Sequence, residues 1–291
     1  MVSAPARHYP RGLGAVARTA RGVATRPMNG AAAVGHQFYF AVSALRSVPL
    51  ALTHYRSQVM AHIGSITFGN GSIIVGGGML GVLVILGGAA GATVGIQGFA
   101  LLDMVNMGPL TGFVSGYATT RELGPLIAAV GFAAQVGCRI TAEVGSMRIS
   151  EEIDALEASA IRPVPFVVSS RIVAGIIAIV PLYLLTLVVA YLACEVLVGV
   201  VYQQPLGTYQ HYFSTFVSAS DIAYSIVKIV VFAIAIVLIH SYQGYYATGG
   251  PEGVGVAAGR AIRASLVAVV TLDMLLTLLI WGFDSGVRIS G

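Results

Sequence analysis

Residues Ile73–Leu101 read IIVGGGMLGVLVILGGAAGATVGIQGFAL, a run of 29 positions without Lys, Arg, Asp or Glu. A helix that crosses the apolar core of a bilayer needs about 20 mostly apolar residues, so this run is long enough to span a membrane. Of the 291 residues in the chain, 56% are hydrophobic and 10% are charged, and the mean hydropathy is +0.84. These values are typical of a membrane protein and exclude an ordinary soluble domain.

Further apolar windows follow along the chain. Their lengths indicate helices, whereas the strands of an outer-membrane barrel are stretches of about ten residues with alternating polarity. We therefore predict an all-α polytopic membrane protein. The windows are Met104–Thr120 paired with Leu123–Cys138, then Ile172–Val198, Ile222–Tyr242 and Ala264–Trp281.

The charged residues are concentrated in one region. Eleven of them lie within Arg121–Arg171, whereas Ser57–Leu102 contains none. Because charge at membrane depth is costly, a membrane protein retains it for topology, for docking of a partner or for handling of a substrate. This charged region is therefore the part of the sequence that is most informative about function.

The N-terminal 70 residues contain seven arginines and no acidic residue. Residues 1–35, rich in Gly, Ala and Arg, are predicted to form a disordered, basic cytoplasmic tail. Residues 36–69 mix apolar and aromatic side chains with Arg46, Arg56 and histidines. This composition favours an amphipathic elbow helix in the membrane interface, and residues 70–291 then form the transmembrane domain.

The distribution of Lys and Arg predicts the orientation in the membrane. Basic residues occupy the tail, residues 139–171 and residues 243–263, whereas Gly199–Ile222 contains none. The positive-inside rule places the three basic regions in the cytoplasm. An even number of crossings must then precede residue 139, so Met104–Cys138 supplies only one, and we expect Met104–Thr120 to be broken or re-entrant at the outer side. Five spans result, with a cytoplasmic N-terminus and an extracytoplasmic C-terminus.

The segment Ser150–Ile161 is predicted to form a short amphipathic helix. Ser150 is a favourable N-cap, and acidic residues follow in the first turn, where the helix dipole stabilises negative charge. Arg162-Pro163-Val164-Pro165 is expected to end the helix, because a residue before proline disfavours the α conformation. Such a helix suits docking into a partner's groove, although ordinary solvated loop helices show the same pattern. Its apolar stripe is Ile149, Ile153, Leu156 and Ala160, opposite Glu151 and Asp154.

Several charged residues fall at the ends of the spans or inside them. Arg121-Glu122, at the outer end of the second span, is either an internal ion pair that fixes the helix end or a site for a lipid head group, since Arg binds phosphate and carboxylate in bidentate fashion. Lys228, the only lysine, lies about 10 Å into the fourth span, and Asp273 lies about 15 Å into the last. Across a core of about 30 Å, Lys228 is then about 20 Å from the inner side, so the two depths agree within the error of the predicted span ends. We therefore predict that Lys228 and Asp273 pair or share a polar lining.

Other motifs have structural interpretations. Cys138 and Cys194 are expected to pack as small apolar residues rather than form a disulfide or ligate a metal. The glycine-rich segment Gly249–Gly259 lacks the G-x-x-x-x-G-K spacing and a preceding strand, so it is not predicted to bind a nucleotide. The sequence shows no nucleophile elbow, His-metal cluster or paired-carboxylate site, and we predict no enzyme activity. A small-residue stripe that allows close helix packing, within the chain or between subunits, consists of Gly87, Gly91 and Gly95.

Three motifs together carry a resemblance to a known family. They are Arg121-Glu122-Leu123-Gly124-Pro125, Ala142-Glu143-Val144-Gly145-Ser146-Met147-Arg148 and Glu151-Glu152-Ile153-Asp154-Ala155-Leu156. In combination they resemble the signature of the MlaE/YrbE permeases, the membrane subunits of ABC systems that move lipids together with MCE-domain proteins. The resemblance extends from about residue 36 to the C-terminus.

The resemblance implies roles for individual residues. The helix at Ser150–Ile161 looks like the coupling helix that seats on the ATPase subunit, and basic residues near the outer side match positions beside a lipid cavity. ATP and Mg²⁺ are implied in the partner ATPase, so no cofactor, metal or catalytic residue is expected in this chain. The implied coupling residues are Ser150, Glu151, Glu152, Ile153, Asp154, Leu156 and Glu157, and the implied substrate-binding residues are Tyr117, Arg121, Glu122 and Lys228.

The resemblance also implies an architecture and partners. The implied subunit has an elbow helix and five spans in the plasma (inner) membrane, with residues 70–291 as the permease domain. It works as a dimer beneath an MCE-protein assembly and moves a phospholipid-like lipid or fatty acid; no nucleic acid is implied. An alternative from another class is a secondary transporter or channel with Lys228 and Asp273 as an intramembrane ion or substrate site.

The sequence departs from the family pattern at one place. Where many members have Gly-Arg, this chain has Ala134-Gln135, and it places Arg139 after Cys138. The charge of the inner half of the second span therefore differs, which leaves the position of any gate open. With the long basic tail and the SEEIDALE motif, the chain looks more like the actinobacterial Mce permeases. Because these occur as two paralogous types, a heterodimer is expected rather than a homodimer.

Overall fold

The computed structural model describes residues 32, 34–69 and 78–282, and within these ranges all regular structure is helical. The prediction of a disordered tail at residues 1–35 falls outside the described residues, apart from positions 32, 34 and 35. The same holds for residues 70–77, where the first apolar window begins, and for residues 283–291.

The N-terminal region is helical, as predicted, but it is divided into three helices. They are α1 (residues 34–46), α2 (Val48–His54) and α3 (Arg56–Phe68). Pro49 lies in the first turn of α2, where its missing N–H costs nothing, and so begins a new helix there. One side of the region faces the protein and the other carries exposed apolar side chains, as expected for a helix in the membrane interface. The buried residues are Phe40, Ala44, Ala51, Val59 and Ile66, and the exposed ones include Phe38, Met60 and Phe68.

Five helices are long and apolar enough to cross a membrane, which confirms the predicted fold class. The short helices α6 (Glu152–Ala158) and α8 (Leu206–Phe216) join two pairs of them at opposite ends of the bundle. We call these ends the α6 end and the α8 end. The spans are α4 (Gly78–Asp103), α5 (Gly108–Ile149), α7 (Val164–Val200), α9 (Ala219–Tyr245) and α10 (Gly250–Trp281).

The second span corrects one prediction. Met104–Thr120 is not re-entrant: from Gly108 onward it forms the first part of α5, which continues as one 42-residue helix to Ile149. Pro109 occupies the first turn, where proline begins a helix rather than breaks it. Two π-helical segments, Thr119–Leu123 and Ala133–Gly137, each accommodate a wider turn within the continuous helix.

The spans also extend beyond the predicted windows at the α6 end. The third begins at Val164 rather than Ile172, and the last begins at Gly250 rather than Ala264. The apolar windows mark the part of each helix that fits the lipid core. The helices themselves continue beyond it, in α10 through four glycines whose low helix propensity is overridden by the tertiary context. Gly249–Gly259, the segment rejected as a nucleotide loop, forms the first turns of α10 and the residue before it.

The small-residue stripe of α4 packs within the chain. A Cβ atom added at Gly87 would lie 2.7 Å from the backbone oxygen of Thr186, and one added at Gly95 would lie 3.4 Å from that of Cys194. The residues of α7 that face the stripe are also spaced four positions apart: Thr186, Ala190 and Cys194. The stripe therefore brings α4 and α7 into backbone contact, which decides between the two interpretations of this motif in favour of intramolecular packing.

The charge-free parts of the helices indicate the depth of the bilayer core. The segment 123–138 of α5 has no charged residue over about 24 Å, and the segment 172–194 of α7 has none over about 35 Å, at 1.5 Å per residue. Both lengths are close to the hydrocarbon thickness of about 30 Å. Glu122 is therefore at the head-group level of the α8 end, and Arg139 and Arg171 are at that of the α6 end.

Candidate functional site

A buried network of charged groups lies toward the α8 end, and Lys228 is at its centre. The side chain of Lys228 is fully buried. Its ammonium Nζ lies 2.6 Å from Asp273 Oδ1 and 3.4 Å from Glu122 Oε2. It also donates hydrogen bonds to the backbone oxygen of Arg121, at 2.7 Å, and to Thr277 Oγ1, at 2.9 Å. The structure thus brings together Lys228 and Asp273, as the depth argument predicted.

Helix geometry explains why these groups meet. Lys228 lies nine residues after the first residue of α9, and Asp273 lies eight residues before the last residue of α10. Both residues are therefore about 12 to 14 Å from the α8 end, on the neighbouring antiparallel helices α9 and α10. Arg121 and Glu122 belong to the π-helical segment Thr119–Leu123 of α5. Single π turns of this kind occur frequently at functional sites.

Arg121 is held in place by one carboxylate and two aromatic rings. Its Nη2 lies 3.1 Å from Asp221 Oδ1. Its guanidinium carbon lies 4.1 Å from the ring centre of Tyr117 and 5.0 Å from that of Trp281, at cation–π distances. The indole Nε1 of Trp281 donates to Asp221 Oδ1 at 2.9 Å, and Ser218 Oγ donates to Asp221 Oδ2 at 2.9 Å. Asp221 thereby fixes Arg121 between two rings.

A cavity of about 340 Å³ lies beside Arg121. Its wall combines aromatic rings with one cation and one carboxylate, so it can receive both an apolar and a polar part of a ligand. Lys228 lies behind this wall rather than on it, and its ammonium is surrounded by four oxygen atoms. Six of the lining residues are Tyr117, Arg121, Ser218, Asp221, Tyr224 and Trp281.

Four residues of this site were missed by sequence reasoning. Asp221 and Ser218 form an N-cap pair, since the backbone N–H of Asp221 donates to Ser218 Oγ at 3.1 Å, and the Ser-x-x-Asp spacing could have revealed it. Trp281, near a membrane boundary, matches the preference of tryptophan for that region. Thr277, whose Oγ1 donates to Glu122 Oε1 at 2.7 Å, gave no signal in the sequence.

The helix α6 is shorter than predicted. It comprises Glu152–Ala158 rather than Ser150–Ile161, and Glu151, not Ser150, occupies the N-cap position. Glu151 and Ala160 both have positive φ angles, of 59° each, which the left-handed region allows but the helix does not. The Ser150 hydroxyl instead lies 2.9 Å from the backbone oxygen of Ser146 and 3.0 Å from Glu152 Oε1, and its single hydrogen can be donated to either acceptor.

The two faces of α6 differ in burial and charge. Only Ile153 is fully buried, and Leu156 is partly buried against the core. Ile149 and Ala160, which were predicted to extend this apolar stripe, are exposed because they lie outside the helix. Asp154 pairs with Arg148, whose Nη1 lies 2.7 Å from Asp154 Oδ1. The exposed face carries the remaining carboxylates, Glu151, Glu152 and Glu157.

Two of the positions that depart from the family pattern lie on the same side of α5. Gln135 and Arg139 are one helical turn apart, and both line the same small cavity at the α6 end. A cation displaced by one turn along α5 therefore still reaches this cavity.

Both cysteines are unpaired. Within residues 32, 34–69 and 78–282, the structure contains no group of three or more His, Cys, Asp or Glu side chains that could hold a metal ion.

Comparison with known proteins gives a consistent result. The family model described as Permease MlaE matches residues 69–279. The chain is 31% identical over 209 residues to the intermembrane phospholipid transport system permease protein MlaE of Haemophilus influenzae, covering 70% of this chain and 80% of that protein. It is 28% identical over 245 residues to a probable ABC transporter permease of Rickettsia typhi, covering 84% of this chain and 89% of that protein. Over 198 residues it is 27% identical to the chloroplastic protein TRIGALACTOSYLDIACYLGLYCEROL 1 of Arabidopsis thaliana, covering 68% and 57%.

Proposed function

The chain belongs to the MlaE permease family, and from this we propose that it is the transmembrane permease subunit of an ABC-type transporter of lipids. The observation that carries the proposal is the cavity at Arg121, which joins an aromatic wall to an ion-pair network in a multi-pass membrane protein. A relative named for intermembrane phospholipid transport supports a phospholipid-like substrate, and a fatty acid has the same combination of acidic head and apolar chain.

We propose that the α6 end faces the cytoplasm and the α8 end faces outward, in the plasma (inner) membrane. Arg148, Arg162, Arg260 and Arg263 lie at the α6 end, whereas residues 199–220 contain no Lys or Arg. This asymmetry is the one that the positive-inside rule describes. The N-terminus is then cytoplasmic and the C-terminus extracytoplasmic.

We propose that α6 docks on a separate ATPase. Its anchor, Ile153, fixes it to the bundle, while Glu151, Glu152 and Glu157 remain exposed for a partner. Ser150 ties the start of α6 to the end of α5 through Ser146 and Glu152. That partner binds ATP together with Mg²⁺ and hydrolyses the ATP. A second, paralogous permease subunit and an MCE-domain assembly complete the proposed complex, in line with the family pattern.

Movement of α6 would change the shape of the cavity through α5, because α5 carries Arg121 and ends beside α6. ATP-driven closure of the ATPases displaces α6, α5 transmits the displacement, and the contacts of Arg121 with Asp221 and Trp281 change at the far end. A ligand couples to this motion only if it binds the two states differently. The alternative of a secondary transporter or channel is not favoured, because Lys228 is fully buried and already has four oxygen neighbours.

The test is lipid uptake by cells that carry Arg121→Ala in place of the native chain. We expect uptake to fall by about tenfold or more, the effect of losing one charged contact, while the complex still assembles. Arg260→Ala, an exposed cation at the α6 end, is the matched control and should leave uptake unchanged. Normal uptake with Arg121→Ala would contradict the proposed cavity and leave Arg121 as a structural ion-pair residue.

A further inference from the structure

We propose that a second polar site, at the α6 end of the bundle, binds the anionic head group of a membrane lipid through Arg139 and Arg171. This site is separate from the cavity at Arg121 and goes beyond the proposed transport activity. It requires only that the chain spans a membrane.

Two arginines share one carboxylate at this site. Arg139 Nε lies 2.8 Å from Glu143 Oε1, and Arg171 Nη2 lies 3.2 Å from Glu143 Oε2. Arg139 Nη1 also donates to the backbone oxygen of Ser65 in α3 at 2.8 Å, and Arg171 Nη1 donates to that of Val167 at 2.6 Å. The site is therefore built from α3, α5 and α7.

The positive charge of the site is not balanced. Glu143 neutralises one of the two guanidinium groups. His62, on the wall of the same cavity, adds no charge at neutral pH, because burial and the nearby Arg171 lower its pKa to about 4. One net positive charge remains. The side chain of Arg171 is only 7% exposed, and its Nε has no hydrogen-bond partner among the described residues. A buried cation with an unsatisfied donor is costly, and an anion at the site would compensate for it.

A partly open space of about 20 Å³ adjoins these groups. It is large enough for one atom of the size of a water oxygen. A single oxygen of a phosphate or carboxylate thus fits inside, and the rest of the head group would lie at the mouth, where the side chains of Arg139 and Glu143 are 30% and 35% exposed. The lining residues used here are His62, Ser65, Gln135, Arg139, Glu143 and Arg171.

The depth of the site favours a lipid as the source of the anion. Arg139 and Arg171 end the charge-free segments of α5 and α7, so they lie at the head-group level of one leaflet. The adjoining helix α3 exposes Met60 and Phe68, which are 68% and 57% accessible and suit contact with acyl chains. Basic pockets between transmembrane helices at this level bind anionic lipid head groups.

The experiment measures which lipids stay bound to the full chain, purified with its native partners, by native mass spectrometry. The protein is placed in nanodiscs of phosphatidylcholine alone or of phosphatidylcholine mixed with phosphatidylglycerol. We expect the native protein to retain phosphatidylglycerol preferentially and to gain thermal stability from it. Arg139→Gln should reduce this preference about tenfold, the factor for one charge-assisted contact, whereas Arg260→Gln, an exposed arginine at the same end, should keep it.

Two further arms make each outcome decisive. Arg139→Lys keeps the charge, so it should restore the preference even if Arg139→Gln also lowers the Tm in phosphatidylcholine alone. Inorganic phosphate and chloride are added to the detergent-solubilised protein to detect a site for free anions. If these ions stabilise the protein and phosphatidylglycerol does not, or if no anion has an effect and only water fills the space, the proposal is overturned.

Discussion

At the scale of single residues, one ammonium group connects three transmembrane helices. Lys228 of α9 contacts Arg121 and Glu122 of α5 as well as Asp273 and Thr277 of α10. The net contribution of such a buried pair to stability is small, because desolvation offsets much of the attraction. Removal of one partner lowers stability much more, since it leaves a buried charge without compensation.

The residue-scale prediction is therefore a double-mutant cycle. Lys228→Met should lower the free energy of unfolding by about 3 to 5 kcal/mol, because Asp273 is left as an unpaired buried carboxylate. Lys228→Met combined with Asp273→Leu should cost clearly less than the sum of the single changes. Thermal unfolding in detergent measures both, with Arg260→Met as a control for loss of a cation. Additive effects would show that the 2.6 Å contact does not couple the two residues.

The sequence predicted part of this network. Depth along two apolar helices was sufficient to bring Lys228 and Asp273 together, because a helix rises by a fixed distance per residue. The partner of Arg121 could not be found in this way. Asp221 is 100 positions away, and which of several acidic side chains faces Arg121 depends on the rotation of α9 against α5. Helix packing sets that rotation, and the charge pattern of the sequence does not reveal it.

At the scale of elements, the contact between α4 and α7 depends on glycine. A Cβ atom at Gly91 would collide with the backbone oxygen of Ala190, which a rotamer change cannot move. At Gly88, one position outside the stripe, the nearest atom is Val189 Cγ1 at 3.7 Å, an ordinary contact. Gly88 and Gly91 are three positions apart on the same helix and differ in the surface they face.

We predict that Gly91→Ala lowers the free energy of unfolding by about 1 to 3 kcal/mol, the usual cost of overpacking. Gly88→Ala should be neutral or slightly stabilising, since alanine favours the helix. Thermal unfolding of the two purified variants provides the comparison. Equal effects of both changes would mean that α4 and α7 are not in backbone contact at Gly91.

For α6, we predict that charge reversal separates docking from folding. Glu151→Lys together with Asp154→Lys should abolish co-purification of the ATPase, because repulsion replaces attraction at the exposed face. Membrane insertion should remain, since Ile153 anchors α6 and is unchanged. Glu195→Lys, at the opposite end of the bundle, is the control and should retain the ATPase. Undiminished co-purification of the double variant would remove the docking role of α6.

The ends of the elements were harder to predict than their presence. The apolar windows located all five spans, but α5 and α10 continue well past them, because a helix is not limited to the apolar residues that fit the lipid core. The boundaries of α6 were wrong by two residues at the start and by three at the end. Glu151 and Ala160 adopt positive φ without being glycine, and no sequence signal marks such a position.

At the scale of the whole molecule, five crossings place the two polar sites at opposite surfaces of the bilayer. We predict that Asp154→Cys on α6 reacts with a membrane-impermeant thiol reagent only after cells are permeabilised. His211→Cys on α8 is exposed at the other end and should react in intact cells. The background is Cys138→Ser with Cys194→Ala, which removes the native thiols.

The same measurement contains its own control, because each position reports the opposite result. Labelling of Asp154→Cys and protection of His211→Cys in intact cells would invert the proposed orientation. The ATPase could then not reach α6, and the transport mechanism would fail with it.

The length of α5 has a mechanical consequence. Ile149, beside α6, and Arg121 lie on one uninterrupted helix, 28 residues apart, which makes a lever arm of about 42 Å. A rotation of α5 by about 5° about its Ile149 end displaces Arg121 by about 4 Å. This stroke is longer than the 3.1 Å that separates Arg121 Nη2 from Asp221 Oδ1. An angular step this small at the α6 end is therefore enough to separate Arg121 from Asp221 in the wall of the cavity at the other end of the bundle.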